Sequence, residues 1–158
     1  MGNIFSGSEL IELGIQIEKN GRDFYSTLAG NTKNQRPKEV FTYLSGEEEK
    51  HIAVFEKLLE SVEEYEPPES YPGEYFAYMS ALASSYVFTQ KGKGREIALD
   101  VKGEMEAVDL GIGFEKDSIM FYMEMKKFIP DYDWKIADDL IDQEKSHLVK
   151  LMELRAAL

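Results

Sequence analysis

The chain contains no cysteine. That excludes a disulfide framework, a thiolate metal site and a cysteine nucleophile, and it fits a protein of the reducing cytoplasm. Nor is there an apolar run near the ~18 residues a membrane span needs, or a signal-peptide core after the start. Basic residues are scarce, 18 against 30 acidic ones for a net charge of −12. A surface of that sign repels nucleic acid and anionic membrane, so neither is expected as a partner, whereas cations are natural guests. Strand-like alternation is missing, and histidine occurs only twice, at His51 and His147. The start MGNIFS matches the N-myristoylation pattern. The plainer reading makes Ser6 a helix N-cap with Glu9 completing a capping box, because one acyl chain without a polybasic patch or second lipid holds a membrane only marginally.

What is present is helical periodicity across 158 residues, a length for one domain, with 43% apolar residues to fill its core. Helices are expected at about 8–29, 37–65, 103–129 and 131–156. Gly30 and the run NTKNQ close the first, and Pro37 opens the second, which Pro67 and Pro68 stop. Pro130 ends the third, and Asp131 or Asp133 caps the fourth. Residues 66–102 form a long crossover with one helical segment near 73–87 and a basic loop, KGKGR. Two helical hairpins joined by such a crossover make an all-α four-helix bundle.

One phrase occurs twice. LGIQIEKNGRDFY at 13–25 nearly recurs 97 positions later as LGIGFEKDSIMFY at 110–122, centred on Glu18 and Glu115. The other two helices carry EEEKH and DQEKSH, so Glu48 and His51, and Glu144 and His147, stand at i and i+3 on one helix face, close enough to reach one metal. From Glu18 to His51 is 33 residues, and from Glu115 to His147 is 32. Apolar stripes place all six inward: Ile11, Gly14, Ile15 and Tyr25 around Glu18, Phe41, Leu44, Phe55 and Leu58 around the first Glu–His pair, Val108, Gly111, Ile112, Ile119 and Tyr122 around Glu115, and Ala137, Leu140, Leu151 and Leu154 around the second. The neighbouring Glu47 and Glu49 read as solvated. Four uncompensated buried carboxylates would cost several kcal/mol each. Two divalent cations cancel them, and a carboxylate–imidazole set without thiolate suits iron, with manganese possible, better than a structural zinc.

Two further pairs admit two readings each. Tyr25 and Tyr122, two turns beyond Glu18 and Glu115, are either core aromatics or phenols leaning back toward their own helix's glutamate. Gly14 and Gly111 either let helices approach closely or leave room beside the metals. Lys91, Lys93 and Arg95 form the one dense basic run, either a solvated loop or a docking patch for an acidic redox protein.

In helix order, paired Glu-x-x-His motifs and E-K-x-x-x-x-F-Y phrases, nearly the whole chain resembles the ferritin-like di-iron carboxylate proteins, and most closely their rubrerythrin-like branch. The resemblance implies a ferritin-like bundle with two iron ions held by Glu18, Glu48, His51, Glu115, Glu144 and His147. It also implies a peroxidase reducing hydrogen peroxide, in preference to dioxygen, with electrons from an external electron-transfer protein. Tyr25 or Tyr122 would serve as proton donor, and the protein would form a homodimer or higher homo-oligomer. Ferroxidation with iron storage, di-iron hydroxylation and a purely structural metal pair are the alternatives. Two departures bound the resemblance. Without cysteine the chain carries no rubredoxin module, and the positions one turn from Glu115 are Gly111, Ile112, Ser118 and Ile119. An extra carboxylate there accompanies a redox-linked iron shift in rubrerythrins, and this sequence supplies none.

Overall fold

The structure, a computed structural model, describes residues 7–62 and 73–158. Ser6, Tyr65, Pro67 and Pro68, expected to bound the first two helices, lie outside the described residues. Helices α1 (Gly7–Asn31), α2 (Gln35–Val62), α5 (Glu104–Met125) and α6 (Trp134–Ala157) form the bundle, while α3 (Gly73–Ser85) and α4 (Lys93–Asp100) belong to the crossover. Among the described residues there is no strand, and no helix is long and apolar enough to cross a membrane. The third long helix stops four residues earlier than expected, at Met125. It continues as 3₁₀ turns at Lys126–Phe128 and Asp131–Asp133 around Pro130, so α6 begins at Trp134. Asp133 takes the N-cap place of α6 without a side-chain cap hydrogen bond.

Each long helix buries one stripe, but α1 buries a broader one. It packs on α2, α5, α4 and the 3₁₀ turn Val87–Thr89. Its inward set therefore includes Ile17, Asn20 and Gly21, and Ile15 is only half-buried. On α5 the same correction applies: Ile112 and Ile119 are half-buried, and Ala107, Ser118 and Phe121 are inside. Pairings across the bundle give the directions. Tyr122 meets Glu18 while Tyr25 meets Glu115, and His51 meets Gln143 while His147 meets Glu48. In both cases numbers rise on one helix as they fall on the other, so α1 runs antiparallel to α5 and α2 to α6.

The crossover departs most from expectation, because α4 starts inside the basic run KGKGR. Its two glycines weaken helix propensity, and tertiary packing overrides them. Gly92 turns the chain at φ 78°. A Cβ on Gly94 would lie 2.0 Å from the Asn20 carbonyl oxygen, so only glycine lets α4 rest on α1. Asn20 completes the joint. Its buried amide donates to the carbonyls of Phe88 and Gln90 at 2.6 and 2.7 Å, and its oxygen accepts from the Gly94 N–H at 2.9 Å. The repeated glycines serve close packing: a Cβ at Gly14 would sit 2.8 Å from the Phe55 ring, and one at Gly111 would meet Leu151 at 3.2 Å and the Tyr25 hydroxyl at 3.4 Å. The glycine beside a candidate ligand is instead Gly21, whose Cβ would touch Glu48 at 3.4 Å.

Candidate metal centre

The i, i+3 spacing on α2 and α6 and the matching register of α1 and α5 bring Glu18, Glu48, His51, Glu115, Glu144 and His147 into one cluster, every residue at most 4% exposed. It resolves into two overlapping groups. Glu18, Glu48, His51 and Glu144 form one, and Glu48, Glu115, Glu144 and His147 the other, with the facing atoms of each within 4.8 Å of one another. Glu48 and Glu144 belong to both. His51 Nδ1 lies 2.7 Å from Glu144 Oε1, 3.3 Å from Glu18 Oε2 and 3.6 Å from Glu48 Oε2. His147 Nδ1 lies 3.2 Å from Glu48 Oε1, 3.4 Å from Glu144 Oε2 and 3.8 Å from Glu115 Oε1. Each shared carboxylate thus turns one oxygen to each side, as a bridging ligand does.

These contacts are close without being hydrogen bonds. Glu18 Oε2, Glu48 Oε1, Glu144 Oε1 and both Nδ1 atoms are fully buried and unsatisfied. Leaving that many buried polar atoms orphaned would cost ~1–3 kcal/mol each, so their convergence is the geometry of a site that could hold two cations. Charge agrees. Burial first, then repulsion from Glu48 and Glu144, pushes Glu18 well above the usual carboxylate range, and burial with Glu144 does the same to Glu115. Burial opposes ionisation of Glu48 and Glu144 too, yet contacts with the imidazoles and the protonated glutamates hold both below that range. Burial likewise opposes a charge on the imidazoles. Glu18, Glu144 and Glu48 outweigh it at His51, and Glu144 with Glu48 raises His147 to about 9. Protons on Glu18, Glu115, His51 and His147 therefore balance the metal-free cluster, and two divalent cations replace those four protons charge for charge.

The surrounding residues hold this set in place. Both tyrosines bond a glutamate, but not the one on their own helix. Tyr25 donates to Glu115 Oε1 at 2.6 Å, and Tyr122 donates to Glu18 Oε1. Seven residues of helix carry each ring ~10 Å from its own glutamate, and the antiparallel neighbour presents the other at the same level. Gln143, absent from the sequence-based set, meets His51 Nε2 at 2.7 Å and leaves Nδ1 to face the carboxylates. Its place directly before Glu144 was the available signal. Tyr43 sets its ring edge against His147, with Lys150 over its face. Tyr86 from the crossover reaches Ser118 on α5 at 2.7 Å. No local motif marks that long-range pair.

Among curated proteins none matches the chain. A solved structure from Thermotoga maritima, assigned as a ferritin-like diiron-carboxylate protein, is similar at 28% identity and a TM-score of 0.69, over 96% of this chain and 95% of that one. The Rubrerythrin family model matches residues 9–155. A ferritin-like bundle of this helix order, enclosing a buried Glu/His cluster that could hold two metal ions, accounts for both findings, and the chain belongs to the rubrerythrin family.

Proposed function

We propose that the protein is a di-iron oxidoreductase that reduces hydrogen peroxide to water with electrons from an external electron-transfer protein. The observation that carries this reading is the pair of donor groups sharing Glu48 and Glu144. Glu18 and His51 would complete one iron position, and Glu115 and His147 the other. Iron bound there supplies one electron from each ion, matching the two electrons and two protons that convert one peroxide to two waters. The cavity that Glu48 and Glu115 line is about 10 Å³. That is water-sized and favours a small oxidant over the organic substrate of a hydroxylase.

The tyrosines take different parts. Burial pushes both phenols well above their ordinary range, so both keep their protons at neutral pH. Tyr25 lines the small cavity and holds its proton beside Glu115, where a general acid would stand. Tyr122 packs against Phe55, with ring centroids 5.0 Å apart, and orients Glu18. For the electron donor, Lys91 and Arg95 remain exposed where α4 begins, while Lys93 pairs with Glu96 at 3.2 Å. An acidic donor protein would find its basic complement there.

Stopped-flow oxidation of the anaerobically reduced, iron-loaded protein tests the reading. Peroxide should oxidise it at least ~10-fold faster than air-saturated buffer does, and Tyr25→Phe should slow the peroxide step more than Tyr122→Phe does. Equal rates, or faster oxidation by dioxygen, would transfer the assignment to an oxidase or hydroxylase.

A further inference from the structure

The crossover delivers a buried hydroxyl pair to the same cavity. Tyr86, 3% exposed, donates to the Phe114 carbonyl at 2.9 Å and lies 2.7 Å from Ser118 Oγ. A phenol has one proton, and a carbonyl only accepts. With that proton committed to Phe114, the Ser118 hydroxyl must be the donor in the second bond. Tyr25 has likewise committed its proton to Glu115. Tyr25, Tyr86, Ser118, Glu48 and Glu115 line one cavity of about 10 Å³, room for one water-sized oxygen. Once two cations displace the proton on Glu115, every proton left on these side chains points elsewhere, so what the polar lining offers an occupant is lone pairs.

We infer that Ser118, its hydroxyl held by Tyr86, makes this cavity selective for an occupant that donates hydrogen bonds. A cavity for one oxygen admits one O–H group of hydrogen peroxide, or a whole water with its two. Dioxygen carries none, and its entry would strip the lone pairs of solvent without pairing them. Ser118 is the contact residue, and Tyr86 is a positioning residue that fixes the direction of the serine proton. The device belongs to one half alone, since the residue 97 positions before Ser118 is Gly21. The inference rests on the peroxidase reading for the identity of the occupant, but the hydrogen-bond polarity of the cavity can be tested without turnover.

Two measurements separate the claims. In crystals of the zinc-loaded, redox-silent protein, an ordered oxygen should lie within hydrogen-bond distance of Ser118 Oγ, and it should vanish in Ser118→Ala. Gly21→Ala, whose added methyl meets Glu48 only in ordinary contact, should also displace it by filling the space. With iron, Ser118→Ala and Tyr86→Phe should each lower the ratio of peroxide to dioxygen oxidation rates about fivefold to tenfold, the effect of one hydrogen bond, at unchanged iron stoichiometry. A dry cavity in the wild type, or a ratio that neither variant moves, overturns the inference. A wild type with no preference for peroxide defeats the proposed function instead, and the crystallographic oxygen still decides whether Ser118 holds a hydrogen-bonding occupant in the cavity.

Discussion

The hairpins α1–α2 and α5–α6 carry the same chemistry at matching places: Glu18 and Glu115, Tyr25 and Tyr122, Glu48 and Glu144, His51 and His147. Between the repeated glutamate and tyrosine they diverge. Where α1 has Asn20 and Gly21, α5 has Asp117 and Ser118. Asn20 is buried and ties α1 to the crossover through three hydrogen bonds, whereas Asp117 faces solvent. The difference follows from topology. Both halves must supply two carboxylates and an imidazole, because the charge of the cluster closes only with all of them, and each half adds a phenol that orients the other half's glutamate. Only α1 must also bind the connection between the halves, and that connection then sends Tyr86 across to Ser118 on the other.

The largest effect should come from breaking the symmetry at the shared carboxylates. Glu48→Ala removes a group common to both metal positions and should weaken binding of both ions on the order of 100-fold or more. Glu18→Ala touches one position and should leave the other filled. Isothermal titration of both variants distinguishes the two roles, and equal losses would refute the division into shared and terminal ligands.

Next in size is the contrast between Asn20 and Asp117. Asn20→Ala leaves two carbonyls and one N–H unsatisfied in a buried joint and should cost roughly 2–4 kcal/mol in urea unfolding. Asp117→Ala should stay within about 0.5 kcal/mol. A neutral Asn20→Ala would mean that the crossover is held by other contacts.

Both replaced residues show how far the sequence could be read. The repeated phrase, the two Glu-x-x-His frames and the apolar stripes made the bundle and the six-residue cluster legible, because each is a local pattern read along a single helix. Asn20 carries no such mark: an asparagine two residues after a glutamate reads as surface until α4 lies on it. The helix α4 itself was hidden, since KGKGR has loop composition and becomes helical through contact with α1. The tyrosine partners were exchanged for the same reason, because helical spacing says where a ring leans but not which glutamate the neighbouring helix brings to it.

A comparable effect, read through pH, separates the two imidazoles. In the metal-free protein His147 titrates at about 9. Unfolded, its pKa is ~6.5. A folded pKa above the unfolded one means that its contribution is complete below ~6.5 and lost as pH rises through about 9. The share due to His147 should be roughly 2–4 kcal/mol across that window in thermal or urea melts, and Glu18, Glu115 and His51, which hold their protons in the folded metal-free protein but not in the unfolded chain, deepen the loss. Metal-loaded protein, whose imidazoles are neutral throughout, should not show this loss. Nitrogen NMR should find His147 releasing its proton first and His51, pressed by Glu18 and Glu144, holding its own to higher pH. Release in the opposite order would contradict the electrostatic picture of the cluster.

Stoichiometry tests the central claim most directly. Anaerobic titration of ferrous iron into the metal-free protein should saturate at two ions per chain, with about four protons released as Glu18, Glu115, His51 and His147 give way to the metals. Saturation at one ion per chain, or filling of two without proton release, would contradict an account in which two halves each bring the ligands for one metal and share the carboxylates between them.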